Sequence, residues 1–214
     1  MNKDDIKESL NERQRYFKRR SKITQRVYAK AEEGFEKELQ KLVNNIGVGE
    51  LDGNSKEVQN ARHKLEYQHF EVLREAMLIM VCSLMEEVLK DITKLCVPNC
   101  ENEIKGRRGN WLKKHLDILK KERSIIVNQK EVSFFQHFIK LRNCVVHGGG
   151  NVNKSEDAKL QEAISSLQKY GKENGPDMLG ILGDGYFWLG RDFVVEVMIR
   201  CKKIINGVFK KLQE

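Results

Sequence analysis

The sequence predicts an all-α protein, a helical bundle with long N-terminal helices and one small β-hairpin before the last helix. Three observations lead to this prediction. Apolar residues recur at spacings of three and four over most of the chain, which is the pattern of amphipathic helices. Charged residues make up 33% of the 214 residues and only two residues are proline, a composition typical of a largely helical protein. The pair Asp184-Gly185 stands between two short apolar runs, which is typical of a hairpin turn.

The N-terminal segment, from residue 3 to about 45, is predicted to form one or two polar helices. Its apolar stripe, which includes Leu10, Phe17 and Ile23, is thin. Such a stripe is typical of an arm that packs on one neighbour or on a second protomer, and equally of a solvated helix laid along the core. Turn residues near Asp52-Gly53 close the segment. We therefore divide the chain into an N-terminal helical extension, residues 1–54, and a helical domain, residues 55–214.

A second long helix is expected from Ser55 to about Leu95, because apolar residues there mark a wide buried face and Pro98 then ends the helix. The predicted buried residues are Phe70, Leu73, Met77, Met80, Leu84, Val88, Ile92 and Leu95. The stretch Lys105–Gly109 is predicted to be a basic loop. Asn110 then caps a short helix that reaches about Lys121.

Three more helices complete the predicted fold. One spans roughly residues 131–146 and stops at Gly148-Gly149-Gly150. Ser155 caps a polar helix that reaches Tyr170. The last helix follows the hairpin and carries an apolar stripe that starts at Phe193.

The chain is basic, with a net charge of +8 and an isoelectric point near 9.2, which favours a polyanionic partner and nucleic acid above all. Residues 101–147 hold 11 basic and 5 acidic side chains, a net +6. We therefore predict a surface here that contacts a nucleic-acid backbone; a solvated helix face is the alternative. Its side chains are Arg107, Arg108, Lys113, Lys114, Lys120 and Lys121.

The sequence also carries signals about location and ligands. The N-terminus lacks the apolar segment of a signal peptide, and no stretch approaches 18 uncharged apolar residues. Five scattered cysteines fit a reducing compartment better than a disulfide framework. We expect a cytoplasmic protein with no membrane partner. Cys96 and Cys100, with His115 further on, supply at most half of a zinc site, so no metal and no cofactor is expected.

The richest local group of polar residues lies in Leu141–Gly148, at the end of a predicted helix. Arg142 offers a planar fork of donors that suits a phosphate, and His147 has a side chain that titrates near neutrality. The pair suits acid catalysis and charge stabilisation at a phosphodiester, and an ordinary helix cap is the alternative. Five residues turn a helix by about 500°, so the two side chains should lie roughly 140° apart unless the helix frays at the glycines.

The same residues resemble the R-x(4–6)-H motif of HEPN domains, in which a polar residue follows the Arg, as Asn143 does here. Upstream, Ser83–Leu89 is similar to the S-x-x-E-x-x-L segment of many HEPN proteins. In that family the acidic residue approaches the Arg/His pair; Glu86 is the better match and Glu87 the reserve. The hairpin and last helix are also similar to the tail of bacterial HEPN-type proteins linked to phage defence. The resemblance covers roughly residues 60–214.

The resemblance implies a metal-independent endoribonuclease that acts as a homodimer. Two copies of Arg142 and His147 would line one cleft across a two-fold axis, with Asn143 and Glu86 as supporting residues. One His would take the proton of the RNA 2′-OH, and the products would carry a 2′,3′-cyclic phosphate and a 5′-OH. The resemblance also implies a toxin or phage-defence role, with an antitoxin or defence-system protein as a second partner.

Two other functions fit the sequence. One is a non-catalytic HEPN-like module that binds nucleic acid or nucleotide. The other is a helical interaction or scaffold protein that works through its N-terminal helices.

Overall fold

The structure, a computed structural model, describes residues 3–47, 56, 70–155, 159–174 and 179–213. In chain order these residues form α1 (Lys3–Gly47), α2 (Glu71–Cys96), α3 (Glu101–Gly106), α4 (Trp111–Arg123), α5 (Gln129–Gly148), a 3₁₀ turn (Val152–Lys154), α6 (Leu160–Asn174), β1 (Leu179–Ile181), β2 (Phe187–Leu189) and α7 (Arg191–Gln213). The two strands pair antiparallel, with Leu179 opposite Leu189. The prediction of an all-α bundle with a hairpin before the last helix is confirmed.

Helix α1 is one continuous helix of 45 residues that lies along α2 and α7. Leu10, Phe17 and Tyr28 form its buried face and are at most 4% exposed. The prediction for Ile23 was wrong, because Ile23 and its neighbour Val27 are 43% and 52% exposed. The Tyr16 hydroxyl donates a hydrogen bond to Glu87 of α2. These buried side chains belong to the same apolar core as those of the other helices. The N-terminal helix is therefore packed along the bundle.

Helix α2 lies at the centre and packs against α1, α4, α5 and α7. Leu78, Met85 and Val88 are fully buried, as expected for a helix covered on several sides. The prediction for Met80 was wrong, because its side chain is 37% exposed on the open side of the helix. The predicted stretch 57–69 lies outside the described residues.

One guanidinium joins three elements around α2. Arg74 Nε donates to Glu32 Oε1 of α1 at 3.1 Å, and Arg74 Nη1 donates to the carbonyl oxygen of Leu189 in β2 at 2.7 Å. The same guanidinium lies 4.8 Å from the ring centre of Phe70. The Glu32 side chain is only 1% exposed, so the ion pair is shielded from water. Arg74 thus connects α1 and the hairpin to the central helix.

The helix ends agree with the sequence in most places. Helix α2 ends at Cys96, two residues before Pro98, and the Asn110 side chain caps α4 by accepting from the Lys113 N–H at 3.0 Å. The predicted loop at 105–109 is wrong in part, because the short helix α3 reaches Gly106. Glu101 and Glu103 lie in the first turn of α3, where acidic side chains favour the helix dipole. The predicted cap at Ser155 adjoins residues 156–158, which lie outside the described ranges.

Helix α5 remains regular through Gly148, two residues beyond the predicted end. Gly149 then adopts a left-handed conformation, with φ of 58°, and its N–H donates to the Val145 carbonyl at 3.0 Å. The helix therefore does not fray at His147. In the hairpin, residues 182–186 form the loop, and Gly185 has the positive φ of 89° that this turn needs.

We predict that Glu32→Ala lowers the free energy of unfolding by about 3–5 kcal/mol, because it leaves the Arg74 guanidinium shielded and unpaired. Urea unfolding followed by circular dichroism measures this change. The double variant Glu32→Ala/Arg74→Ala should lose about 1–3 kcal/mol less than the sum of the single variants. Lys37→Ala, which breaks an exposed ion pair on the same helix, is the control and should leave the midpoint unchanged. A Glu32 variant as stable as this control would contradict the prediction.

Candidate functional site

The last two turns of α5 place the motif residues on an exposed strip of the helix. Arg142 and Asn143 are half-buried, whereas Val146 and His147 are exposed. Because α5 is regular through this stretch, Arg142 and His147 point about 140° apart. Asn143 and His147 are one turn apart and share a face. A single protomer therefore presents the Arg and the His on different sides of α5 and does not direct both at one point.

The Arg142 guanidinium has unused hydrogen-bonding capacity. Its Nη1 donates to Asn143 Oδ1 at 3.0 Å, and its buried Nε has no partner. Within the described residues, no acidic side chain forms an ion pair with it. Because Nε is buried, an anion that approaches from solvent can accept only from the Nη groups, of which Nη2 has no hydrogen bond in the described residues. Asn143 holds one side of the guanidinium and leaves the rest available.

Glu86 forms no ion pair with Arg142 in the described part of the chain. Burial raises the pKa of the Cys82 thiol, the Arg142 charge lowers it and the Glu86 charge raises it, so both groups lie within electrostatic reach of Cys82. Glu86 is one turn beyond Cys82 on α2 and is half-buried. Its neighbour Glu87 is instead held by the Tyr16 hydroxyl of α1. Of the two predicted acids, Glu86 is the one whose charge acts on the same thiol as Arg142.

Two exposed apolar side chains lie at the height of this strip in the bundle. Helices α2 and α5 run antiparallel, since Arg142 is near Cys82 while Gly150 is beside Glu75. Met80 of α2 and Val146 of α5 are therefore at similar heights in the bundle, and they are 37% and 45% exposed. Val146 is thus an exposed apolar side chain on the strip itself, and Met80 is one on the neighbouring helix.

The predicted basic surface is partly neutralised within the chain. Glu103 forms ion pairs with Arg107 at 2.5 Å and with Lys121 at 3.1 Å. These two cations lower the pKa of the Glu103 carboxyl. In the described residues, Arg108 and the lysines at 113, 114 and 120 form no ion pair, and all but Lys114 are exposed. Four of the six predicted cations therefore remain available to a partner.

This basic surface is separate from the motif residues. Arg123, at the end of α4, donates to the Cys96 carbonyl at the end of α2. Cys96 lies fourteen residues beyond Cys82, which is about 21 Å along a helix. The end of α4, with Lys120 and Lys121, therefore lies far from Arg142 in one protomer. The start of α4 is nearer to α5, because the ring centres of Trp111 and Phe135 are 6.3 Å apart.

The five cysteines and His115 are buried and contribute to packing in the described part of the chain. All five cysteines are free and buried. His115 is 4% exposed and its Nδ1 lies 3.0 Å from Thr93 Oγ1. Burial lowers the pKa of His115 to about 4, which keeps the ring neutral. The described residues contain no group of three His, Cys, Asp or Glu side chains placed to hold a metal ion.

Two carboxyl groups near the end of α5 were not predicted. Glu71 accepts a hydrogen bond from the Leu189 N–H at 2.9 Å, and burial raises the pKa of its carboxyl to about 7. Burial also raises the pKa of the Glu75 carboxyl, and a Cβ atom at Gly150 would lie 2.5 Å from Glu75 Oε1. The sequence signal that could have revealed them is a pair of acidic residues four positions apart at the start of an apolar helix. A carboxyl with the pKa of Glu71 can exchange protons near neutrality.

No family model, curated protein or solved structure matched this chain when it was compared with each of these sets. The HEPN resemblance therefore depends on the motif residues themselves. Among the described helices, none is both long enough and apolar enough to cross a bilayer.

We predict that Glu71→Gln stabilises the protein at about pH 8 and has little effect at about pH 4. The wild-type carboxyl has a pKa of about 7 when folded and 4.5 ordinarily, so folding takes up a proton between these values and stability falls as pH rises through them. Gln keeps an acceptor for the Leu189 N–H and carries no charge. The gain above pH 7 should be on the order of 1 kcal/mol.

Urea unfolding of both proteins across this pH range measures the effect. Glu8→Gln, an exposed acid of α1, is the control and should follow the wild-type curve. A Glu71→Gln variant that is less stable at every pH would contradict the assigned role of burial.

Proposed function

We propose that the protein is a metal-independent endoribonuclease of HEPN type, with a composite Arg/His site across a homodimer and a toxin or phage-defence role. The observation that carries this proposal is the available guanidinium of Arg142, held by Asn143 on the exposed strip that also presents His147. An Arg with open donors beside an exposed His is the pair that phosphodiester cleavage needs.

The geometry of α5 favours a site made from two protomers. Arg142 and His147 point about 140° apart, so one copy directs few groups at a single phosphate. A two-fold axis beside the end of α5 would place a second Arg142 and His147 opposite the first pair. Val146 lies on the strip between them and is 45% exposed, which gives this contact an apolar centre.

The reaction in such a cleft is a transesterification. One His147 imidazole accepts the proton of the 2′-OH, and the 2′-oxygen forms a bond to the adjacent phosphorus. The bond from phosphorus to the 5′-oxygen breaks, and the partner's His147 donates a proton to that oxygen. Arg142 stabilises the charge on the phosphorane, and Asn143 keeps its guanidinium in place. Glu86, within electrostatic reach of the same thiol as Arg142, orients the guanidinium from α2.

The basic side chains of α3 and α4 supply a second group of contacts in this proposal. Because the end of α4 meets α2 about 21 Å along that helix from Cys82, the basic side chains there would hold RNA outside the cleft in which it is cut.

We expect RNA cleavage that persists in EDTA and leaves 2′,3′-cyclic phosphate and 5′-OH ends. His147→Ala and Arg142→Ala should each lower the rate at least about 100-fold, because each removes a group that acts in the transition state. Arg142→Lys should not restore activity, since Lys lacks the planar fork. Gel analysis of labelled RNA and typing of the product ends measure these effects.

The matched control is His137→Ala, which removes a half-buried His from another side of α5. It should cut RNA at the wild-type rate. Activity that disappears with the chelator, or that survives both motif substitutions, would contradict the proposal. Wild-type protein that binds RNA and never cuts it would favour the non-catalytic binding module.

We also predict that Val146→Asp converts a dimer into a monomer and abolishes cleavage, because a carboxylate would be buried at the apolar centre of the contact. Sedimentation velocity gives the mass, and the cleavage assay gives the activity. Ile181→Asp, in β1, is the control because Ile181 is similarly exposed, at 41%, and lies on the hairpin. A variant that remains dimeric, or a wild-type monomer that cleaves RNA, would contradict the two-protomer site.

A further inference from the structure

The middle of α1 carries a run of positive charge with no acid in it. Residues 13–30 include eight Lys and Arg side chains and no Asp or Glu. Acidic residues lie on both sides, at 4, 5, 8 and 12 and at 32, 33, 36 and 38. Summed over residues 1–60, the charges nearly cancel, with 13 basic and 11 acidic side chains. The positive charge of α1 is therefore concentrated in residues 13–30, between two acidic segments.

Four of these side chains form a line on the solvent face of α1, which we call the cationic ridge. Their spacing of four, three and four residues keeps them within about 60° around the helix and spreads them over about 16 Å. The ridge consists of Arg15, Arg19, Lys22 and Arg26, all exposed. It lies opposite the buried stripe that contains Phe17 and Tyr28.

The ridge side chains form no ion pair in the described part of the chain, although Glu8 and Glu12 lie beside Arg15 at its first end. None of its four side chains forms an ion pair or a hydrogen bond there. Arg13, by contrast, pairs with Asp91 of α2 at 3.1 Å and is directed away from the ridge. Lys30 lies near Glu33, whose pKa it helps to lower, and this marks the end of the charged line. Like charges at these separations repel, so an anionic partner would stabilise the arrangement.

A polar groove beside the ridge extends the charge onto α7. Residues 197–213 of α7 contain five basic and no acidic side chains. The Lys202 ammonium donates to Gln25 Oε1 of α1 at 2.7 Å, which fixes it at the edge of the groove. The lining residues are Phe17, Lys18, Ser21, Lys22, Gln25, Lys202 and Asn206. Three ammonium groups with amide and hydroxyl groups between them suit phosphate oxygens.

We propose that the cationic ridge and this groove bind the phosphate backbone of RNA without regard to sequence. The ridge presents a cation every 4.5 to 6 Å, roughly, along a straight line, which matches a partner that repeats its negative charge. Three of the four ridge residues are arginines, whose planar forks match phosphate geometry. A membrane surface is disfavoured, because helices that bind bilayers turn a continuous apolar face to the lipid. In α1 the apolar face through Leu10, Phe17 and Tyr28 is buried in the core, and Ile23 and Val27 are the exposed large apolar side chains in its described part.

This surface is distinct from the proposed cleavage site. Helix α2 packs against α1 on one side and against α5 on another, so the ridge and Arg142 lie on different parts of the bundle. The proposal therefore goes beyond the proposed nuclease and holds whether or not the motif cuts RNA.

The test measures binding of a fluorescent single-stranded RNA of about 30 nucleotides by anisotropy. All proteins carry His147→Ala, so cleavage has no effect on the readout. The ridge variant replaces Arg15, Arg19, Lys22 and Arg26 with Gln. It should bind at least about tenfold more weakly, and the slope of log affinity against log salt should become shallower by about 2 to 3 between roughly 50 and 200 mM salt.

The control variant removes the same charge from four exposed lysines outside the ridge, its groove and the basic surface of α3 and α4, by substitution with Gln. These lysines are Lys41, Lys90, Lys130 and Lys169. It should keep most of the affinity and the slope. Equal losses in the two variants would show that net charge alone governs binding and would overturn the proposal. An unchanged ridge variant would overturn it as well, as would ridge-dependent binding to phosphatidylserine vesicles with no ridge-dependent binding to RNA. Unchanged circular dichroism and melting temperature show that each variant is folded.

Discussion

The Arg74 guanidinium is the interaction on which the placement of the other parts depends. It pairs with the shielded Glu32 of α1 and donates to the Leu189 carbonyl, while Glu71, one turn away, accepts from the Leu189 N–H. Both backbone groups of Leu189 are thus held by side chains of α2. The hairpin in turn holds the chain after α5, because the Phe187 N–H donates to the Gly150 carbonyl and the Val152 N–H to the Gly185 carbonyl. A continuous series of hydrogen bonds therefore connects the central helix to the turn that follows His147.

This arrangement constrains what the end of α5 can do. A helix that frayed at its glycines could bring His147 round to Arg142 within one chain. The left-handed Gly149 and the hairpin contacts of Gly150 instead keep α5 regular to Gly148. The two motif side chains therefore stay about 140° apart, and a site that uses both on one phosphate needs groups from a second copy. The regularity of α5 is therefore the structural basis of the two-protomer proposal.

The sequence predicted the parts of the fold that depend on local pattern. The long apolar stripes, the Asn110 cap and the Asp184-Gly185 turn each follow from residues close together in the chain. It did not predict Glu71 and Glu75, because the raised pKa of a carboxyl depends on the hairpin and the α5 turn that bury it. For the same reason the exposure of Met80 could not be derived from periodicity, since the open side of α2 depends on which helices pack around it. Glu103 neutralises Arg107 and Lys121 through α3, a helix that was not predicted.

The thin apolar stripe of α1 has a physical explanation in this structure. A helix that packs in the groove between two others needs only a narrow buried face, here the line through Leu10, Phe17 and Tyr28. The rest of its circumference is free to carry charge, and between residues 13 and 30 all of that charge is positive. If α1 served only as a cover for the core, mixed charges would give the same packing with less repulsion along the helix. The acidic residues of α1 lie on either side of this basic segment. The repulsion among the basic side chains is best explained by a polyanionic partner that offsets it, as we propose for RNA.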